Sequence, residues 1–146
     1  MKRIVITMAL TITTIFTWQI PCDAENIYRP QESKELMYQD MLMLFLGDPI
    51  EKAVNNYYSI ILTENPLIYP YQIDVVKVER VGGFRTFHFI ITLETTPVVG
   101  PHISVGKDRI TFEIAPTIPD QVKLIKFEHL ETHKLPPHWQ NIIRKP

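Results

Sequence analysis

The spacing of apolar residues changes near Pro70, and this change limits the possible folds more than any other feature of the sequence. Over residues 50–61 apolar side chains recur every three or four positions, and over much of the stretch after residue 71 they alternate. A period of about 3.6 predicts an amphipathic helix, and a period of 2 predicts half-buried strands. Helices followed by a run of strands indicate an α+β fold.

The segment before Pro70 is predicted to form two helices. Ser33 can cap the first, and Gly47 is expected to end it. Asp48 at the N-cap, Pro49 at the first helical position and Glu51 two residues later predict the start of the second helix. The apolar stripe predicted for the first helix is Leu36, Met37, Met41, Leu44 and Phe45. The stripe predicted for the second helix is Ile50, Ala53, Val54, Tyr57, Tyr58 and Ile61.

Four sequential strands are predicted to form a curved antiparallel sheet under the second helix. The parity of the apolar residues switches at Val75-Val76, which predicts a bulge, and Gly82-Gly83 predicts a two-residue hairpin turn. Cystatin-like and nuclear-transport-factor-like folds share this architecture, a comparison of fold alone. The predicted strands cover residues 71–81, 84–95, 109–115 and 122–134. The predicted organisation is a lead-in at 25–32, one domain at 33–135 and a tail at 136–146.

Residues 1–24 have the pattern of a secretory signal peptide. Lys2 and Arg3 precede an apolar run, and Ala24 follows Cys22 at a position suited to cleavage. The prediction is a protein that is secreted or held at the cell surface. A retained anchor over residues 4–20, which is short for a membrane span, and a lipid on Cys22 are the alternatives.

Cleavage after Ala24 would leave 122 residues without a cysteine, so disulfide bonds would be excluded. It would remove Lys2, Arg3 and Asp23, leaving 13 basic and 15 acidic residues, a net charge of −2. No basic stripe remains, so no nucleic-acid partner is predicted. A membrane contact is expected only through the signal segment during export.

The long segment between the second and third predicted strands holds the candidate binding residues. It is much longer than a usual hairpin loop, and its prolines and glycines suggest a defined path. The candidates in and beside this loop are Gly100, His102, Lys107, Asp108 and Arg109. One interpretation is a binding or catalytic loop on a rigid sheet. The other is a structural loop that packs Val98, Val99, Ile103 and Val105 against the core.

Other chemistries are less well supported by the residue spacing. Gly100 and Gly106-Lys107 do not have the spacing of a phosphate-binding loop. His129 and His133 lie four apart on a predicted strand, about 13 Å, too far to share a zinc ion. No nucleophile motif surrounds Ser104, and neither a metal nor a cofactor is predicted.

Short segments of the chain resemble the domain-of-unknown-function 3888 family. These are Thr96–His102, Gly106–Phe112, Tyr57-Tyr58 and Phe127-Glu128-His129. The resemblance implies a short exported protein of spore-forming Gram-positive bacteria with no assigned activity, so no catalytic residue can be transferred.

The sequence therefore predicts a non-catalytic domain that binds a small ligand or a protein partner through residues 97–108. One alternative is a small hydrolase or lyase with an acid–base site at His102, Asp108 and Arg109. Another is a metal-responsive exported protein that uses His129 and His102.

Overall fold

A computed structural model describes residues 33–145 as one helix followed by an antiparallel sheet. The predicted α+β class is confirmed. Helix α1 spans Lys34–Ile61. The strands are β1 (Ile73–Arg80), β2 (Phe89–Thr95), β3 (Val98–Val99), β4 (Ile103–Ser104), β5 (Gly106–Ile114) and β6 (Val122–Thr132). The main sheet has the order β1-β2-β5-β6, and β3 pairs with β4 in a separate small hairpin. The predicted signal segment lies outside the described residues.

The prediction of two helices is wrong, because α1 continues through Gly47, Asp48 and Pro49. An interior glycine costs about 1 kcal/mol and an interior proline about 3 kcal/mol. Each fully buried large apolar side chain contributes about 1.5–3 kcal/mol, so a continuous buried stripe can outweigh both breakers. That stripe consists of Met43, Leu46, Ile50, Ala53, Val54 and Tyr58. The predicted cap is confirmed, since Ser33 Oγ accepts a hydrogen bond from the Leu36 amide at 3.1 Å.

The apolar stripe predicted for the first helix is also wrong. Leu36, Met37, Met41, Leu44 and Phe45 are all exposed, and Phe45 reaches 77 %. The buried stripe of the second half fixes the orientation of the whole helix. In this orientation Met43 and Leu46, rather than the predicted residues, face the core. The N-terminal half of α1 therefore presents an apolar face to solvent.

The main sheet packs its inner face against α1. Ile91 and Leu93 of β2 lie opposite Phe112 and Ile110 of β5, and all four are buried. The register of β1 on β2 shifts between Val75 and Lys77, so the predicted bulge is confirmed. β6 carries two such irregularities in its pairing with β5.

The predicted two-residue turn at Gly82-Gly83 is wrong. β1 ends at Arg80 and β2 begins at Phe89, so residues 81–88 form a longer connection. The Val81 amide donates to the His88 carbonyl at 2.8 Å across its base. Gly82 has φ of +95°, and the Thr86 hydroxyl donates to the Val81 carbonyl at 2.6 Å inside the connection.

The segment between β2 and β5 contributes to the core, as one of the two interpretations predicted. Val98, Val99 and Val105 are buried, and Ile103 packs against the core. Val98 and Leu67 exchange backbone hydrogen bonds of 2.8 and 2.9 Å, which fix the small hairpin beside the segment that follows α1.

The chain end packs against the end of α1. A 3₁₀ turn covers Pro137–Ile142, and Ile142 is buried. Arg144 Nε donates to the Ser59 and Leu62 carbonyls at 2.9 and 2.8 Å. Over residues 33–145, α1 included, no helix has the length and apolar character needed to cross a membrane.

Candidate functional site

The five binding residues predicted from the sequence lie at separate places in the fold. His102 adopts φ of +61°, stacks on Tyr69 with ring centroids 4.8 Å apart, and lies 3.3 Å from the Tyr71 hydroxyl through Nδ1. Gly100 lies against the indole of Trp139, where a Cβ would overlap the ring. Both residues are held by aromatic packing at the tip of the small hairpin.

Lys107 and Arg109 lie on the outer face of the sheet, where both bind Glu94. Lys107 Nζ is 2.6 Å from Glu94 Oε2, and an Arg109 terminal nitrogen is 2.5 Å from Glu94 Oε1. Hydrogen bonds from Lys107 and then Arg109 hold the pKa of the Glu94 carboxyl below its usual value. These cations are paired with a carboxylate rather than aimed at an open site.

Asp108 points the opposite way, into the core between the sheet and α1. It is 0 % exposed, and its Oδ1 lies 2.7 Å from His129 Nδ1. The other ring nitrogen of His129, Nε2, lies 2.7 Å from Thr132 Oγ1. A carboxylate, an imidazole and a hydroxyl thus form one hydrogen-bonded series, which we call the Asp108 relay.

Strand geometry explains why the three residues of the Asp108 relay meet. Asp108 shares the inward parity of Ile110 on β5, and it pairs directly with His129 on β6. Residues three apart on a regular strand face opposite sides of the sheet. Leu130 is an extra residue in β6, because Lys107 pairs with Glu131 while Asp108 pairs with His129. This bulge returns Thr132 to the side that His129 occupies.

Two tyrosines of α1 enclose His129. Tyr57 stacks on the imidazole at 4.8 Å between centroids, and Tyr58 meets it edge-on at 6.0 Å. Gly106 leaves space for Tyr58 and His129, because a Cβ at this position would lie 2.6 Å from the Tyr58 hydroxyl and 2.8 Å from His129 Cε1. The imidazole is therefore fixed on several sides.

The polar atoms around Asp108 are incompletely satisfied. Among the described residues, Tyr58 Oη, Asp108 Oδ2 and Thr95 Oγ1 are buried without a regular hydrogen bond, and Thr95 pairs with Asp108 across β2 and β5. Burial raises the pKa of Asp108, although His129 and the nearby Tyr58 hydroxyl oppose the rise. Burial, and then the charge of Asp108, raises the pKa of Tyr58.

A second hydroxyl and imidazole pair lies nearby. Ser104 Oγ is 2.7 Å from His133 Nδ1, and His133 Nε2 is 3.5 Å from Glu131 Oε2. His129 of β6 and His133, which directly follows β6, thus belong to different networks. Within residues 33–145, no group of three histidine, cysteine or acidic side chains has the geometry of a metal site.

A cleft of about 490 Å³ lies between α1 and the opposite end of the inner sheet face. Its apolar surface comes from both layers, and its polar groups include two carboxylates and one ammonium. The lining from α1 is Phe45, Asp48, Pro49, Lys52, Ala53 and Asn56, and the lining from the sheet side is Phe112, Asp120, Val122 and Leu124.

The sequence predictions missed both His129 as the partner of Asp108 and the cleft. A signal for Asp108 was available, because it continues the alternation of Ile110 and Phe112 towards the start of β5. No comparable signal locates Thr132, since its side depends on the bulge at Leu130.

The described residues define an α+β domain with one long helix on a four-stranded antiparallel sheet and a buried aspartate–histidine pair. The model of the protein family of unknown function DUF3888 matches residues 38–131. The chain belongs to this family, as its sequence resemblance predicts. No curated protein and no solved structure matches the chain. The cystatin-like and nuclear-transport-factor-like comparison stays a prediction.

Three of the segments that carry the resemblance contribute to one place in the fold. Tyr57-Tyr58, Gly106–Phe112 and Phe127-Glu128-His129 supply the walls and the central pair of the Asp108 relay. The fourth segment, Thr96–His102, forms part of the small hairpin.

Proposed function

We propose that this chain is an exported binding domain that holds a small amphipathic molecule in the cleft between α1 and the sheet. Export is supported by the basic start and the apolar run of residues 2–20. The cleft replaces residues 97–108 as the proposed contact surface, because the valines of that segment are buried in the core.

The observation that carries the proposal is the composition of the cleft. Its volume of about 490 Å³ falls in the range of small-molecule sites, about 300–1,000 Å³. Phe112 and Val122 supply apolar surface, while Asp48, Lys52 and Asp120 supply charge at its edge. Such a lining suits a ligand with an apolar body and a polar group that reaches the charged edge.

The test uses N-phenyl-1-naphthylamine, a neutral dye whose fluorescence rises in apolar sites, titrated into residues 25–146. We expect saturable binding, weakened about 5–30-fold by Phe45→Ala because an exposed aromatic wall of the cleft is lost. Phe84→Ala is the matched control, since Phe84 is also an exposed phenylalanine but lies in the connection 81–88.

Equal weakening by the two variants would show non-specific adsorption of the dye. An absence of saturable binding would refute the cleft as a ligand site. A Lys52→Glu variant then separates ligand classes, because it reverses the single positive charge of the lining and should favour cationic over anionic competitors.

A further inference from the structure

The Asp108 relay has the order of groups that activates a hydroxyl. When His129 carries its proton on Nδ1, that N–H donates to Asp108 Oδ1, and the Nε2 lone pair accepts a hydrogen bond from the Thr132 hydroxyl. We infer that Thr132 Oγ1 is a nucleophile that takes an acyl group from an activated carboxylic ester, with His129 as its general base. This activity is separate from ligand binding in the cleft.

The exposure of the three groups follows their order in the relay. Asp108 is fully buried, the His129 side chain is 18 % exposed, and Thr132 is exposed. A buried carboxylate holds an imidazole in one tautomer more firmly than a solvated one, because water does not compete for the hydrogen bond. The hydroxyl at the other end is accessible to a substrate from solvent.

The position of the imidazole is also fixed by packing. Tyr57 covers one face of the His129 ring, and Tyr58 meets it edge-on. The bulge at Leu130 places Thr132 on the same side of β6. A base held within hydrogen-bond reach of its hydroxyl meets the geometric requirement for general-base catalysis.

The neighbouring pair of Ser104 and His133 lacks this order of carboxylate, imidazole and hydroxyl. The Ser104 hydroxyl contacts Nδ1 of His133, and the carboxylate near Nε2 belongs to Glu131, whose side chain is 64 % exposed. Ser104 is therefore a control of the same chemical type, a hydroxyl bound to imidazole without a buried carboxylate behind it.

The proposed reaction transfers an acyl group without oxidation or reduction. Thr132 Oγ1 forms a bond to the ester carbonyl carbon, and its proton passes to His129 Nε2. The bond from carbon to the alcohol oxygen breaks, and that oxygen leaves with the proton from Nε2. In the second half, a water oxygen bonds to the acyl carbon and gives a proton to His129 Nε2. The bond from that carbon to Thr132 Oγ1 then breaks, Oγ1 takes the proton from Nε2, and the carboxylic acid is released.

The direct test is covalent labelling with a fluorophosphonate probe, followed by intact-mass measurement and peptide mapping. Thr132 Oγ1 would bond to phosphorus and displace fluoride. We expect one adduct, on Thr132, which Thr132→Val abolishes, Thr132→Ser retains and Ser104→Ala leaves unchanged. His129→Gln should slow the labelling about 100-fold or more, because the base is lost.

Asp108 acts as a positioning residue, and its test is the tautomer of His129. Ring ¹⁵N chemical shifts should report a proton on Nδ1 in the wild type and a substantial population with the proton on Nε2 in Asp108→Asn. His129→Gln leaves Asp108 unpaired and could fail to fold for that reason. In that case the double variant Asp108→Asn, His129→Gln, which removes the buried charge, takes the place of the single variant in the labelling assay.

The proposal is overturned by the absence of an adduct on wild-type protein, by labelling only at another residue, or by equal labelling rates with and without His129. Thr132 is exposed, so its variants are expected to keep the fold and to decide the result.

Discussion

The sign of one substitution, Gly47→Ala, distinguishes a continuous α1 from two shorter helices. An alanine Cβ at this position meets no heavy atom within 4 Å, and Gly47 lies inside the helix without a positive φ. Alanine favours a helix interior over glycine by about 1 kcal/mol, so the free energy of unfolding should rise by about that amount. A glycine that ended a helix would instead have a left-handed φ, and alanine there would cost about 1–2 kcal/mol.

The assay is thermal and urea unfolding of residues 25–146 followed by far-ultraviolet circular dichroism. For a domain of this size, a gain of 1 kcal/mol raises Tm by roughly 3–6 °C. Gly82→Ala is the matched control and should lower Tm, because Gly82 has φ of +95° and its Cβ would lie 3.1 Å from Thr86 Cγ2. A fall in Tm for Gly47→Ala would refute the continuous helix.

Four further predictions address the site, the sheet and the chain end. Gly106→Ala should destabilise the fold by about 1–3 kcal/mol in urea unfolding, because its Cβ would lie 2.5 Å from the Glu131 carbonyl oxygen. Burial raises the pKa of Asp108, so the contribution of Asp108 to stability should fall as pH rises above about 4, and Asp108→Asn should remove that fall. The pKa of Glu94 is lowered by its cations, so Glu94→Gln should cost stability near pH 7 and little in acid, measured by urea unfolding across that range. Ile142→Ala should lower the free energy of unfolding by about 2–4 kcal/mol in the same assay, because Ile142 is buried.

The strands were predictable from sequence because alternation alone determines which side chains face the helix. Ile91, Leu93, Ile110 and Phe112 follow the alternation and are all buried, and the bulge at residues 75–77 appears where the parity switches. The helix was not predictable to the same degree. Gly47 and the Asp48-Pro49 pair are strong local stop and start signals, yet burial of residues on both sides holds one helix together.

The candidate site was only partly predictable. Asp108 continues the alternation of Ile110 and Phe112, but the sequence predicts it as a loop residue, because an aspartate is rarely buried without a partner and the sequence does not show that His129 lies beside it. Closeness in sequence associates His102 and Arg109 with Asp108, whereas pairing between β5 and β6 brings His129 beside it instead. Partners from distant segments follow from strand register, and register in β6 depends on extra residues whose position the apolar pattern does not reveal.

The contact between the chain end and α1 has a consequence for the order of folding. The Arg144 amide donates to the Ile61 carbonyl, and Ile143 bridges to Leu62, so residues far along the sequence from α1 cover the carbonyl groups where the helix finishes. Synthesis proceeds from the amino terminus, and a growing chain on the ribosome therefore lacks this cover until residue 144 has been synthesised. All six strands precede residue 144 in the sequence, so this contact with the end of α1 can close only after the whole sheet has been synthesised.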